Sequence, residues 1–193
     1  KMDTIVKALG KQDAVVASIE RKAKKTYSPA LYDLTELQRD ANKLFGYSAK
    51  ETLNIMQKLY EQHKVLTYPR TDSRYLSSDI VSTIPERLKA IGGAEYSKLA
   101  NKIANKPIKA TKAFVDDSKV SDHHAIIPTS TVASVNLEAL PKGEQEILRL
   151  ISIRLLAAVS EPYRFVETTV TAECEGEVFT SKGKAVLSDG WEG

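Results

Sequence analysis

One cysteine, Cys174, three histidines and no long apolar run bound what this 193-residue chain can be. A single thiol cannot close an internal disulfide, and no histidine or cysteine spacing suits zinc, so no structural metal is expected. No run approaches the roughly 18 apolar residues that cross a bilayer, and the opening Lys1-Met2-Asp3-Thr4 does not begin a signal peptide. The expected setting is therefore cytoplasmic, with no membrane partner. Internal repeats are absent, and so is a Gly-x-x-x-x-Gly-Lys phosphate loop. The net charge of +3 is too small to prove an anionic partner, so the distribution of charge matters more than its total. Basic residues gather at Arg21 to Lys25, at Lys102 to Lys112, and as Arg70 and Arg74. Such runs are ordinarily solvated surface.

What is present is enough apolar material, 42% of residues, to bury a core of one large domain or of one domain and part of another. From Asp13 to Tyr27 the pattern alternates, with Val15, Ala17 and Ile19 on one side and Val16, Ser18 and Glu20 on the other, which predicts a strand. From Asp33 the period becomes helical through Leu34, Leu37, Ala41, Leu44 and Phe45, with a capping box at Thr35 to Gln38 and a stop at Gly46. A second capping box, Ser48 to Glu51, opens a helix whose apolar face holds Leu53, Met56, Leu59 and Tyr60. Val65 to Tyr68 reads as extended and is stopped by Pro69, and Arg70 to Ser78 as a loop. Ile80, Ile84, Leu88 and Ile91 predict a helix with a kink or new start at Pro85, closed by Gly92-Gly93, followed by a short helix over Ala94 to Ile103. Lys142 to Ser160 is the strongest helix. Period two returns at Val166 to Cys174, with a turn at Glu175-Gly176-Glu177 and a strand from Val178. The predicted class is α+β: a mainly helical domain, residues 33–161, inserted between β segments, residues 1–32 and 162–193, that pair as one partial β-rich domain.

The chemistry gathers in two strings. In Leu66-Thr67-Tyr68-Pro69-Arg70-Thr71-Asp72-Ser73-Arg74, an extended backbone would turn Tyr68 and Arg70 to one side. A phenol with an ordinary pKa near 10 is a poor nucleophile at neutral pH. A guanidinium beside it favours the phenolate, and its fork suits two phosphate oxygens, where charge builds during in-line attack. A half-buried strand tyrosine beside a surface arginine fits the triplet equally well. The second string is Asp122-His123-His124-Ala125-Ile126-Ile127-Pro128-Thr129. A histidine there can donate to a phosphate oxygen or move a proton, and it can also be a helix cap or a satisfied core residue.

Together, and behind Leu31-Tyr32-Asp33-Leu34-Thr35-Glu36-Leu37-Gln38, these strings resemble the motifs of type IA DNA topoisomerases, with Pro69 and the His-His pair similar to the topoisomerase III branch. The resemblance runs from about Val15 to Trp191. It implies that Tyr68 attacks a backbone phosphorus and stays joined to the 5′ end of the cut strand, that Arg70 holds the scissile phosphate, and that His123 assists at the phosphate. Asp72, Ser73, Arg74 and Thr129 would orient these groups or contact DNA. The phosphotyrosine bond would conserve the energy of the broken link, so resealing would need no nucleotide triphosphate, in keeping with the missing phosphate loop. The family's magnesium is held by a glutamate and an Asp-x-Asp pair of a separate domain. Neither Asp116-Asp117 nor Glu173, Glu175 and Glu177 has that pattern. The expectation is thus an internal fragment of a bacterial, nucleoid- or plasmid-associated enzyme, whose partners are single-stranded DNA and the missing metal-binding domain. Alone it would bind DNA weakly without cutting it; a helicase partner is neither implied nor excluded. The competing reading is a non-catalytic single-stranded nucleic-acid binding module, with lysines on phosphates and Tyr68 or Tyr75 stacking on bases.

Overall fold

The computed structural model describes residues 5, 7, 9, 10, 13–91 and 96–193. The chain divides into two compact units, one of residues 1–26 and 162–193, the other of residues 27–161. The predicted stop at Gly92-Gly93 and the start at Ala94 lie outside the described residues.

The first unit is an antiparallel sheet of β1 (Val15–Thr26), β2 (Tyr163–Cys174) and β3 (Glu177–Ser188), in that order. The two ends of the chain thus form one β element, and the class is α+β. Between β2 and β3, Glu175 at φ 49° and Gly176 at φ 80° close a two-residue loop. Positive φ at both central residues is the hairpin turn whose twist matches that of the strands.

The face assignment of β1 needs correction. Its register against β2 shifts between Val16 and Ser18, so Val15 opposes Glu173 and Val16 opposes Ala172, while Ser18 opposes Thr171 and Ile19 opposes Val170. One extra residue in a strand flips everything beyond it to the other face. Val16 and Ile19 therefore share a side, and Val15 lies with Ser18 and Glu20. The Ile19 side is mostly apolar, with Val166, Val170, Phe179 and Ala185, whereas the opposite side carries Lys22, Lys24, Lys182 and Lys184 around Glu167.

The second unit is helical: α1 (Leu34–Phe45), α2 (Ala49–Glu61), α3 (Ile84–Ile91), α4 (Ser97–Ala104) and α5 (Lys142–Val159). The cap of α1 is not Thr35 but Asp33, whose Oδ1 accepts from the Glu36 amide at 2.7 Å. Aspartate in extended geometry satisfies that orphan donor and starts the helix two residues earlier, and Gln38 is left to bond the Ala49 carbonyl. Gly46, at φ 77°, ends the helix and donates to Asn42. For α2 the predicted capping box is present in both directions between Ser48 and Glu51. A 3-10 stretch over Ser78–Thr83 precedes α3, so Pro85 falls in the first turn of a new helix, where its missing amide costs nothing.

The core of this unit joins Leu37 and Ala41, Met56 and Leu59, Ile84 and Leu88, and Ile147, Ile151 and Leu155, all at or near zero exposure. The linkers contribute as much: Tyr32, Val65, Leu66, Leu76, Phe114 and Ala125 to Ile127 are buried among them. Beside this core, Arg154 of α5 donates to the Ala30 carbonyl, the Tyr32 hydroxyl and Asp40 Oδ2. Its guanidinium lies 4.0 Å from the Tyr32 ring centre. Burial, then the Asp40 contact, pushes the Tyr32 phenol well above its usual pKa. No helix among the described residues is long and apolar enough to cross a membrane.

Candidate active site

The two motifs meet through their backbones. Leu66 bridges Pro128 in antiparallel sense, the Thr67 amide donates to the Ile127 carbonyl at 3.0 Å, and the Thr129 amide donates to that of Val65 at 2.9 Å. On its other edge the second motif meets Tyr32, whose carbonyl accepts from the Ile126 amide at 2.8 Å. Apolar Ala125, Ile126 and Ile127 sink this segment into the core and leave His123 at its exposed start.

Two threonines lock the register on either side of Tyr68. Thr67 Oγ1 accepts from the Ile127 amide at 3.0 Å. Thr71 Oγ1 donates to the His123 carbonyl at 3.0 Å and accepts from the Ser73 amide at 3.1 Å. The Thr71 carbonyl in turn accepts from the Leu34 amide, tying the first motif to the start of α1. Thr67 and Thr71 were not among the predicted site residues. Their partners are fifty or more positions away, so no local pattern marks them.

Tyr68 is half-buried, and its ring centre lies 4.2 Å from that of His123, the planes inclined by 35°. Both line a cleft with Thr67, Ser77, Asp79, Asp117, Asp122 and His124. Arg70 is exposed and lines an adjoining cleft with Asp33, Thr35, Asp72, Asp122 and His123. The chain bends at Pro69, between Tyr68 and Arg70. Asp122 and His123 line both clefts.

Ser73 is buried and donates to the Lys119 carbonyl at 2.8 Å. Thr129 Oγ1 donates to the Lys64 carbonyl at 2.6 Å, and Arg74 Nε to the Leu31 carbonyl at 3.2 Å. All three hold the loops that carry the site. Asp72 is exposed beside Arg70.

His124 is a different kind of histidine from its neighbour. Its Nδ1 stands 2.7 Å from the Ala125 carbonyl, which can only accept, so Nδ1 carries the proton and Nε2 is the acceptor in the neutral ring. Burial lowers its pKa below the ordinary 6.5, against the raising effect of that hydrogen bond. Of the aspartates here, Asp117 accepts from the Ser78 amide at 2.7 Å, and the Ser77 side chain holds Asp79 below the usual carboxylate range. Both carboxylates thus already have hydrogen-bond partners, and among the described residues no three of His, Cys, Asp and Glu are grouped to hold a metal ion.

The helical unit thus presents a tyrosine, a histidine and an arginine on loops pinned to one another. The sequence profile described as DNA topoisomerase matches residues 1–193, and the chain belongs to that family. Within it the chain aligns over its whole length with DNA topoisomerase 3 of Bacillus anthracis, 60% identical over 192 residues that make up 26% of that protein. DNA topoisomerase 3 of Bacillus subtilis strain 168 is 52% identical over 188 residues, covering 97% of this chain and 26% of its own. The chain thus spans 26% of the length of these curated relatives. Full-length topoisomerase I from Thermotoga maritima has a similar fold, with a TM-score of 0.68 at 23% identity over all of this chain and 31% of that one.

Proposed function

We propose that this chain is the strand-cutting part of a topoisomerase III-type enzyme that breaks and reseals one DNA strand without ATP, with Tyr68 as nucleophile. In cleavage, Tyr68 Oη bonds to a backbone phosphorus, the phenolic proton leaves, and the bond to the 3′ oxygen breaks and that oxygen takes up a proton. The 5′ phosphate remains on tyrosine. In resealing, the 3′ hydroxyl attacks the same phosphorus and expels the phenolate. Arg70 presents its fork to the non-bridging oxygens, where charge accumulates. His123, against the Tyr68 ring and lining both clefts, donates to the phosphate.

The observation that carries this reading is the Tyr68–His123 ring contact, held by Thr67 and Thr71 in a cleft that shares Asp122 and His123 with the cleft lined by Arg70. Residues 27–161 would be the tyrosine-bearing domain and the sheet part of a β-rich arch. Single-stranded DNA is the substrate, in a cytoplasmic, nucleoid- or plasmid-associated setting. Among the described residues no three of His, Cys, Asp and Glu are grouped to hold magnesium, which the resemblance assigns to another domain; the steps carried here are those of Tyr68, Arg70 and His123. The test is trapping of a covalent adduct between the full-length protein and a labelled single-stranded oligonucleotide. Tyr68→Phe abolishes the adduct and Arg70→Ala reduces it with the fold intact, while the isolated 193 residues form none. Adduct formation by Tyr68→Phe sinks the reading by placing the nucleophile elsewhere, whereas no adduct from the unaltered full-length protein favours a binding module.

A further inference from the structure

We infer that Tyr60 is a positioning residue for Tyr68, holding its hydroxyl on the line of attack through ring contact. The inference rests on Tyr68 being the nucleophile. Tyr60 is the next-to-last residue of α2, and its ring centre lies 5.6 Å from that of Tyr68 with the planes at 81°, an edge-to-face pair. Tyr68 thus has two aromatic neighbours, Tyr60 edge-to-face and His123 inclined against it at 4.2 Å.

Such a pair constrains the nucleophile in a particular way. Rotation of the Tyr68 ring about its own Cβ–Cγ axis leaves Oη where it is, because Oη lies on that axis. Swinging Oη away requires a change of χ1, and that breaks both ring contacts. His123 cannot serve this end alone, since it must also meet the phosphate.

The base on which Tyr60 stands is rigid. Its helix is anchored by Met56 and Leu59 at zero exposure. Beyond the helix the Val65 amide donates to the Leu59 carbonyl at 3.0 Å, and Thr129 Oγ1 pins the Lys64 carbonyl at 2.6 Å. Lys64 takes φ 58°, a left-handed turn that a side-chain-bearing residue adopts at a cost, and this turn brings the following strand back past the helix end. Its ammonium sits 5.9 Å from the Tyr60 ring centre, a further hold on that ring. Tyr60 and Tyr68 therefore flank a turn fixed from three directions. On α2 the residue had read as part of the apolar face, yet it is only half-buried and touches the reacting tyrosine.

The experiment is single-turnover cleavage of an end-labelled single-stranded oligonucleotide by the full-length protein, with affinity for the same oligonucleotide measured in parallel. Tyr60→Leu slows cleavage by roughly three- to tenfold, the scale of one aromatic pair, with unchanged affinity. Tyr60→Phe, which keeps the ring, restores the wild-type rate. Should Tyr60→Leu fail to fold, Tyr60→Met, longer and equally without a ring, replaces it under the same criteria. A wild-type rate in the ringless variant, a Tyr60→Phe rate as slow as Tyr60→Leu, or a slowing fully explained by weaker binding overturns the inference. Tyr68→Phe runs alongside: if it cleaves, the nucleophile assignment is what has failed.

Discussion

Between Tyr27 and Glu161 apolar side chains from five helices and their linkers meet in one core, with Leu37, Met56, Leu59, Ile84 and Leu155 at 0% exposure. In the sheet, by contrast, all 12 residues of β1 and all 12 of β3 are exposed, and Val15, Ile19 and Val178 stand open at 69%, 58% and 65%. The helical unit is held by burial, the sheet by its backbone ladder and cross-strand pairs. That difference bears on where the proposed reacting groups sit. A nucleophile must be held to a fraction of an ångström, and only a close-packed interior passes that rigidity to a loop through short hydrogen bonds such as those of Thr67 and Thr71.

The contrast can be broken most directly by truncation. Leu59→Ala should cost about 2–5 kcal/mol of unfolding free energy in chemical denaturation, whereas Ile19→Ala in β1 should stay within about 0.5 kcal/mol. Equal costs would show that the sheet also depends on burial. Next in size is Arg154→Met, which leaves Asp40 and the Tyr32 hydroxyl without their cation and frees the Ala30 carbonyl. A loss of about 2–3 kcal/mol is expected, with hydrogen exchange rising first at residues 30–32. Thr71→Val should cost about 1–3 kcal/mol by orphaning the Ser73 amide, and should slow cleavage more than its stability loss explains, because it uncouples His123 from the Tyr68 loop.

The smallest effect is a pH dependence confined to the helical unit. Because burial holds the His124 pKa below 6.5, the folded chain binds fewer protons than the unfolded one just under that pH. Stability is therefore full above pH 6.5, declines as pH falls through that value, and levels off below the folded pKa. Asp79 opposes this shift, and Arg87 and His123 reinforce it. His124→Asn should flatten the pH profile of thermal unfolding around pH 6; an unchanged profile would place the titration elsewhere.

Much of this was legible along the chain where the determining interactions are local. Ser48 and Glu51 announce the start of α2, Gly46 the end of α1, and Glu175-Gly176 a hairpin, because each acts within a few residues. Misreadings arose where a near-equivalent local choice or an irregularity decided the outcome. Asp33 outcompeted Thr35 as a cap, and one inserted residue swapped the faces of β1. The parts that could not be read were set by contacts across long stretches of chain. Thr71 finds His123 fifty-two positions away, and Tyr60 gains its meaning only when the Lys64 turn returns Tyr68 to it.

The central claim is that Tyr68 takes the DNA covalently, and peptide mapping of the trapped adduct tests it most directly. Trypsin cuts after Lys64 and Arg70, so residues 65–70 form a peptide whose one tyrosine is Tyr68. After nuclease trimming, mass spectrometry should find the residual nucleotide on that peptide, joined through its 5′ phosphate. A nucleotide on the peptide that contains Tyr75, or on no tyrosine of this chain, would contradict the account.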